Sequence, residues 1–369
     1  MTESLWQATR LVTEAVGAHA DSWDRRGRLP DAVVRDLSRR GLLAAQIPAE
    51  YGGLGLSSRD NGEFTAHVGS LCSSLRSLMT SQGMAAWTLQ RLAGAGQQAA
   101  FLPKLAGGKL AGVAFSEPSA GSDLSAIRTE IRTDGDAVVV QGEKVWVTGA
   151  AYADLLVVFG SYREGAGVVI VPTATPGVRI HRVPDPLGCR AAGHADVRLD
   201  EVRLPADHLL SASGAPLAML VTAALTYGRI SVAWGCVGML RACLAASIRH
   251  TSVRVQFGKP LAEHQLVARH LGELAAAAQV ATLICEHASR CWDEARSDLV
   301  TAAVLAKHVA ARNATQGAAA AVQLLASAGA RDSHPVARAY RDAKLMEIIE
   351  GSTEICQLLL AEHALAGSR

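Results

Sequence analysis

The chain has 369 residues, of which 49% are hydrophobic and only 19% charged, with a formal net charge of +2. That balance belongs to a globular chain long enough for two or three domains sharing substantial cores, and it gives no ground for binding nucleic acid or a membrane surface. No uninterrupted apolar run reaches the roughly 18 residues of a spanning helix, and the opening MTESLWQATRLVTEAV lacks a signal or transit pattern.

From residue 3 to about 110 the spacing is helical. Leu5, Ala8, Val12 and Val16 make one face, and Leu29-Pro30-Asp31 opens a further helix through Val34 and Leu37. A glycine-dense loop, Tyr51 to Leu56, separates these from a helix predicted over roughly 61–81. That helix carries Ser70-Leu71-Cys72-Ser73-Ser74-Leu75-Arg76-Ser77. Its small hydroxyl residues suit either a polar pocket lining or close packing between helices. Between about 113 and 213 short β-branched runs take over, at 137–140, 144–147, 155–159 and 167–171, punctuated by Gly and Asp. Period-two alternation there places Trp146 and Thr148 on one side of a strand. After Pro205 helical spacing returns, predicting Ala-rich helices at about 216–249, 261–292, 297–328 and 335–348. The fold class is α+β and mostly α, with parts at 1–112, 113–213 and 214–369.

Seven scattered cysteines without a CxxC read as reduced thiols, which suits a cytoplasmic protein. Twelve dispersed histidines show no ligand spacing, so no metal is expected. The stretch from Tyr340 to Glu354 is the chemical centre of the reading. Apolar residues at 336, 340, 343 and 346 predict an amphipathic helix, Gly351 ends it, and Ser352 or Thr353 caps another. Glu350 then lies at the joint, either a solvated helix-end carboxylate or a desolvated base.

Ile349-Glu350-Gly351-Ser352-Thr353-Glu354-Ile355, preceded by Arg341-Asp342, resembles the C-terminal signature of acyl-CoA dehydrogenases. In most members of that family the Glu before the Gly takes the substrate α-proton, which makes Glu350 the implied catalytic base. Ser116-Glu117-Pro118-Ser119-Ala120-Gly121-Ser122-Asp123 resembles the family's first signature, with Phe115 in place of a small aliphatic residue. Lys144-Val145-Trp146-Val147-Thr148 is similar to its K-x-W-I-T element, and Arg254 to Leu261 followed by Gln265 is similar to R-x-x-F-G-x-x-[LI]-x-x-x-Q. The resemblance implies an FAD enzyme with a helical N-terminal domain, a β-domain and a C-terminal four-helix bundle, assembled as a homodimer or homotetramer. Cofactor contacts are implied for Phe115, Ser116, Ser122, Trp146, Thr148, Ser352 and Glu354. Arg254, Phe257, Gln265 and Gln323 are implied at the ADP half of FAD bound in a neighbouring subunit. Ala326-Ser327-Ala328-Gly329 stands where the family has Gly-Gly-x-Gly. Substrate contacts are implied for Ser122, Arg229 of Tyr227-Gly228-Arg229, and Gly351.

Leu187 to His194 corresponds to a family stretch reading G-x-R-x-S-x-T, with Ala192 and His194 where hydroxyls stand. The change is either drift in a surface turn or the mark of a thioester carried on something other than free CoA. Residues 61–76, 81–87, 188–196 and 231–238 resemble the acyl-CoA-dehydrogenase-like enzymes of methoxymalonyl-ACP (hydroxymalonyl-ACP) extender-unit biosynthesis in polyketide pathways. That likeness implies a small C3 acyl group on an acyl carrier protein, with Arg179, Arg182 and Arg190 as candidate docking residues. A conventional acyl-CoA dehydrogenase and a non-enzymatic carrier-binding scaffold are the competing expectations. The electron acceptor is not readable.

Overall fold

The computed structural model describes residues 3–366. Six helices come first: α1 (Glu3–Val16), α2 (Ala20–Arg26), α3 (Asp31–Arg39), α4 (Ser58–Leu71), α5 (Ser73–Leu92) and α6 (Ala95–Ala106). The helix predicted over 61–81 is two helices, because Cys72 adopts an extended conformation (φ −155°, ψ 103°). No Pro or Gly marks that break. It turns α5 so that almost its whole length, Ser73 through Leu92, is buried.

Seven strands form one sheet: β1 (Ala111–Ala114), β2 (Glu130–Asp134), β3 (Ala137–Val147), β4 (Leu155–Tyr162), β5 (Gly165–Pro172), β6 (Val178–Arg182) and β7 (Ala195–Pro205). β1 runs parallel to the first half of β4, and β5 pairs antiparallel along all of β4. β3 pairs with β2 and β7, and β6 closes the far edge on β7. The apolar runs of β4 and β5 carry no polar alternation because both faces are covered. Leu155, Val157 and Phe159 enter the core shared with the helices, whereas Leu156 and Val158 enter the core between the strands.

The C-terminal bundle holds α7 (Leu217–Val253), a small hairpin of β8 (Val255–Gln256) and β9 (Lys259–Pro260), then α8 (Gln265–Asp293), α9 (Leu299–Leu325), α10 (Pro335–Ile348) and α11 (Thr353–Ala366). By length and composition α7 is apolar enough to cross a membrane, with a mean hydropathy of 1.5 in its most apolar stretch, although charged and polar residues interrupt it. That stretch is 72% buried within the protein, so its apolarity serves a core helix. α7 packs against α4, α5, α8 and α9. Tyr340, read as a core position of α10, is 49% exposed; Val336, Ala339, Ala343 and Met346 make the buried face instead. All seven cysteines are free and buried.

Candidate active site

Glu350 lies between α10 and α11 in the left-handed region (φ 55°), followed by Gly351 at φ 90°. A glutamate held there is strained, and strain of this kind persists only where the surroundings over-determine it. Two buried cations do so. Arg229 Nε donates to the Glu350 carbonyl at 3.1 Å, and Lys307 Nζ donates to the Gly351 carbonyl at 2.6 Å and to that of Glu347 at 3.3 Å. The Ser352 hydroxyl accepts from Ile355 N at 3.4 Å, the cap expected for α11. Glu350 Oε2 is buried and has no hydrogen-bond partner among the described residues. Burial pushes the carboxyl up to about 7, against the pull of Arg229, Lys307 and Arg76. A Cβ at Gly228 would overlap Glu350 Oε2, so the glycine of Tyr227-Gly228-Arg229 makes the space the carboxylate occupies. A carboxylate titrating near neutrality and lacking a partner has the properties of a general base.

In the β-domain two of the sequence motifs are joined. Lys144 Nζ is fully buried and donates to Glu117 at 2.8 Å and to the Phe115 carbonyl at 3.0 Å. The Glu117 carboxylate also accepts from Arg128 N at 2.6 Å and Thr129 N at 2.9 Å. Val145 N donates to the Ser116 carbonyl at 2.9 Å, so the loop carrying Ser116 and Ser122 is fastened to the strand carrying Trp146. Phe115 packs on Phe159, ring centroids 4.4 Å apart, which anchors the loop in the sheet. The expected strand alternation at Trp146 fails. β3 is irregular between Lys144 and Val147, Trp146 has φ 56°, and Thr148 lies in the turn beyond the strand. The two side chains nevertheless meet one partner, His194. Its ring is 5.7 Å from that of Trp146, and its Nδ1 is 3.2 Å from Thr148 Oγ1. His194 is buried and held down to about 4, first by burial and then by the charge of Arg76, so it is neutral; its Nε2 has no partner among the described residues. Trp146 is 50% exposed.

Ser122 and Arg229, singled out separately for substrate, line one cleft of about 640 Å³ together with Val221, Leu225, Val304 and Leu360. Arg254, Phe257, Gln265 and Gln323 do not line it. They are all exposed; Phe257, 96% exposed, is at the tip of the β8–β9 hairpin (φ 52°), whereas Gln265 starts α8 and Gln323 lies in α9. Ala326, just after α9, holds φ 50°, ψ −131°, a conformation in which glycine is at ease and alanine is not. Glu354 is exposed in the first turn of α11, where backbone N–H and the Ser352 hydroxyl hold its carboxyl below the usual range.

The segment 187–194 corrects a sequence expectation. Ala192 is fully buried and His194 nearly so, and Gly149 N donates to the Ala192 carbonyl. The missing hydroxyls therefore sit in the core behind Trp146, not in a surface turn. Of the three arginines proposed for docking, Arg190 pairs with Asp332 at 3.3 Å and Asp24 at 3.7 Å, and Arg179 with Asp200 at 3.8 Å. Arg182 stacks over Tyr152 at 5.0 Å, and none of the three lines the cleft. Arg76 and Lys307 were given no role by the motifs, and His194, noted only as a replaced hydroxyl, was given none at the Trp146–Thr148 site. Lys307 sits in an apolar helical run, where only an isolated charge on a core face signalled it. A separate group, His287, Cys291 and Asp298, brings possible ligand atoms within 4.8 Å. Its carboxylate is already matched by Arg296 at 3.0 Å.

Family models for the acyl-CoA dehydrogenase N-terminal, middle and C-terminal domains match residues 4–109, 112–202 and 217–365. The chain is 30% identical to a glutaryl-CoA dehydrogenase of Desulfococcus multivorans, over 96% of this chain and 94% of that protein. It is 31% identical to the human mitochondrial short-chain specific acyl-CoA dehydrogenase, over 94% and 85% respectively. Among solved structures, FkbI, described as serving biosynthesis of the methoxymalonyl extender unit of the Fk520 polyketide, is 61% identical with a TM-score of 0.93, covering 97% of this chain and 99% of that one.

Proposed function

We propose that the chain, a member of the acyl-CoA dehydrogenase family of FAD-dependent oxidoreductases acting on CH–CH donors, is a dehydrogenase-type enzyme that oxidises a carrier-bound acyl group. Its substrate is a small C3 acyl group held as a thioester on an acyl carrier protein, and its product is hydroxymalonyl-ACP, the precursor of a methoxymalonyl unit for polyketide assembly. The observation that carries this reading is the 61% identity with FkbI across nearly both whole chains.

The residues present fit FAD. Trp146 offers an open ring face, Thr148 a hydroxyl beside it, and His194 Nε2 an unsatisfied polar atom behind. Ser116 and Ser122 lie on the loop fastened to that strand, and the exposed Arg254, Phe257, Gln265 and Gln323 suit an ADP moiety reached from a neighbouring subunit. Bound there, the cofactor supplies the acceptor for the hydrogen and two electrons that leave C3 as an aldehyde hydrate becomes a carboxylic acid. Glu350 takes the hydroxyl proton of that hydrate, in the role it would play toward a Cα proton in an ordinary acyl chain. Its carboxyl, raised to about 7, is basic enough to accept that proton and still releases it to water near neutrality. Arg229 and Lys307 fix the joint by its backbone carbonyls, so the carboxylate is aimed without being consumed in an ion pair.

The test presents one acyl group, the 2-hydroxy-3-oxopropionyl thioester, on carrier protein and on CoA, and weighs the acyl arm after incubation with the FAD-loaded enzyme. We expect the acid to form, with kcat/KM at least about tenfold higher for the carrier form. Equal values would make the protein a conventional acyl-CoA dehydrogenase. A colourless protein that binds carrier without turnover would make it a scaffold.

A further inference from the structure

Arg76, carried by α5, is fully buried against α7 and α10. Its Nη1 donates to Thr80 Oγ1 at 3.1 Å and its Nη2 to Met346 Sδ at 2.9 Å, while Nε has no partner. Among the described residues no carboxylate pairs with it. A buried guanidinium resting on a thioether and one hydroxyl is costly, yet the chain is shaped to hold it. Gly235 of α7 stands against it, and a Cβ there would lie 2.7 Å from Arg76 Cδ and 2.8 Å from Nε.

The same face of α7 leads to the base. Positions 228, 231 and 235 lie on one helical face. Gly228 faces Glu350 Oε2, and Ser231 Oγ is 2.7 Å from Thr80 Oγ1, the group that Arg76 contacts. The three residues from 228 to 231 rise about 4.5 Å, the length of a three-carbon acyl group. Arg76 Nε and Glu350 Oε2 are both buried without partners among the described residues, and the charge of Arg76 acts on Glu350. A plain hydrocarbon would leave both unsatisfied. An acyl group with oxygens on its far carbon would not.

We propose that Arg76 is the specificity-determining residue of the acyl pocket, binding the oxygens of a carboxylate or hydrated aldehyde at the third carbon of a short acyl thioester. The inference rests on the reading that Glu350 faces the acyl group. The Thr80–Ser231 hydroxyl pair completes the polar end, and the pocket selects against unsubstituted acyl chains.

Malonyl-pantetheine and propionyl-pantetheine differ only in a carboxylate or a methyl at that carbon. Malonyl is already oxidised there, so its binding reports on the pocket whatever the carrier and whatever the reaction. Anaerobic titration of the FAD-loaded enzyme, read by the flavin visible band, should show malonyl binding at least about tenfold tighter than propionyl. R76M should abolish that preference, leaving propionyl affinity and FAD content unchanged, and R76K should retain part of it. Wild-type protein without a preference overturns the proposal, and that measurement needs no variant to fold. Equal weakening of both ligands in R76M also overturns it, because it assigns Arg76 to packing. A loss of preference for carrier over CoA would leave this result standing and would count only against the carrier reading.

Discussion

At Glu350 the same burial that makes a base also makes an unstable residue. Its carboxyl is raised from 4.5 to about 7 in the folded chain, so the fold favours the protonated form. That contribution to stability is fully present below the unfolded value and is lost as pH rises through about 7. Glu350→Gln keeps the shape and removes the ionisation. We expect it to retain FAD, to lose roughly 10²–10⁴-fold in turnover, and to be more stable than wild type at pH 8 by on the order of 2–3 kcal/mol. Thermal denaturation at pH 6 and pH 8 checks the second part: the gap should widen with pH, and a gap independent of pH would mean that ionisation is not its cause. Turnover within a few-fold of wild type would place the base elsewhere. In the wild type, kcat/KM should fall on the acid side with a midpoint near 7, because the base must be ionised to act.

Among the elements, the end of α9 holds a residue in a conformation that its side chain disfavours. Ala326 sits at φ 50°, ψ −131°, where glycine is at ease and alanine is not. Ala326→Gly should relieve that strain and raise stability by about 1 kcal/mol, read as a shift in the denaturation midpoint; an unchanged or lower midpoint would show no strain there. Sequence made the helices legible wherever apolar residues kept the 3.6 period, and the strands wherever β-branched runs were bounded by Gly and Asp. The joint at Glu350 was legible because Gly351 and Ser352 are stop and start signals in themselves. The break at Cys72 carries no such signal. Trp146 was misplaced because alternation assumes a regular strand, and β3 is irregular between Lys144 and Val147. Arg76 was hidden for a different reason. Its run of small hydroxyl residues suited a pocket lining or close packing between helices equally, and neither reading gave the charge a role; the packing of Gly235 against it shows that the guanidinium is inside.

Across the whole molecule, α10 is the piece on which all three parts close, and Glu350 hangs from its end. Arg338 pairs with Asp21 and donates to the Leu71 carbonyl at 3.0 Å. Arg341 pairs with Asp24 at 2.5 Å, and Asp342 Oδ1 accepts from Cys189 N at 2.6 Å. These contacts fix α10 to the N-terminal helices and to the segment that carries His194. The carboxyl of Asp342 is pushed up by burial, so its value to the fold lies in the accepted hydrogen bond more than in the charge. Two substitutions separate those contributions. Asp342→Asn keeps an acceptor at the same place and removes a buried charge, so its denaturation midpoint should equal or exceed that of wild type. Asp342→Ala leaves Cys189 N buried and unpaired, which costs about 1–3 kcal/mol. Because Cys189 and His194 belong to one buried turn, the alanine variant should also release FAD more readily, measured by the recovery of free-flavin fluorescence on warming. If Asn destabilises as much as Ala, the charge of Asp342 holds the parts together, and the hydrogen bond to Cys189 is incidental.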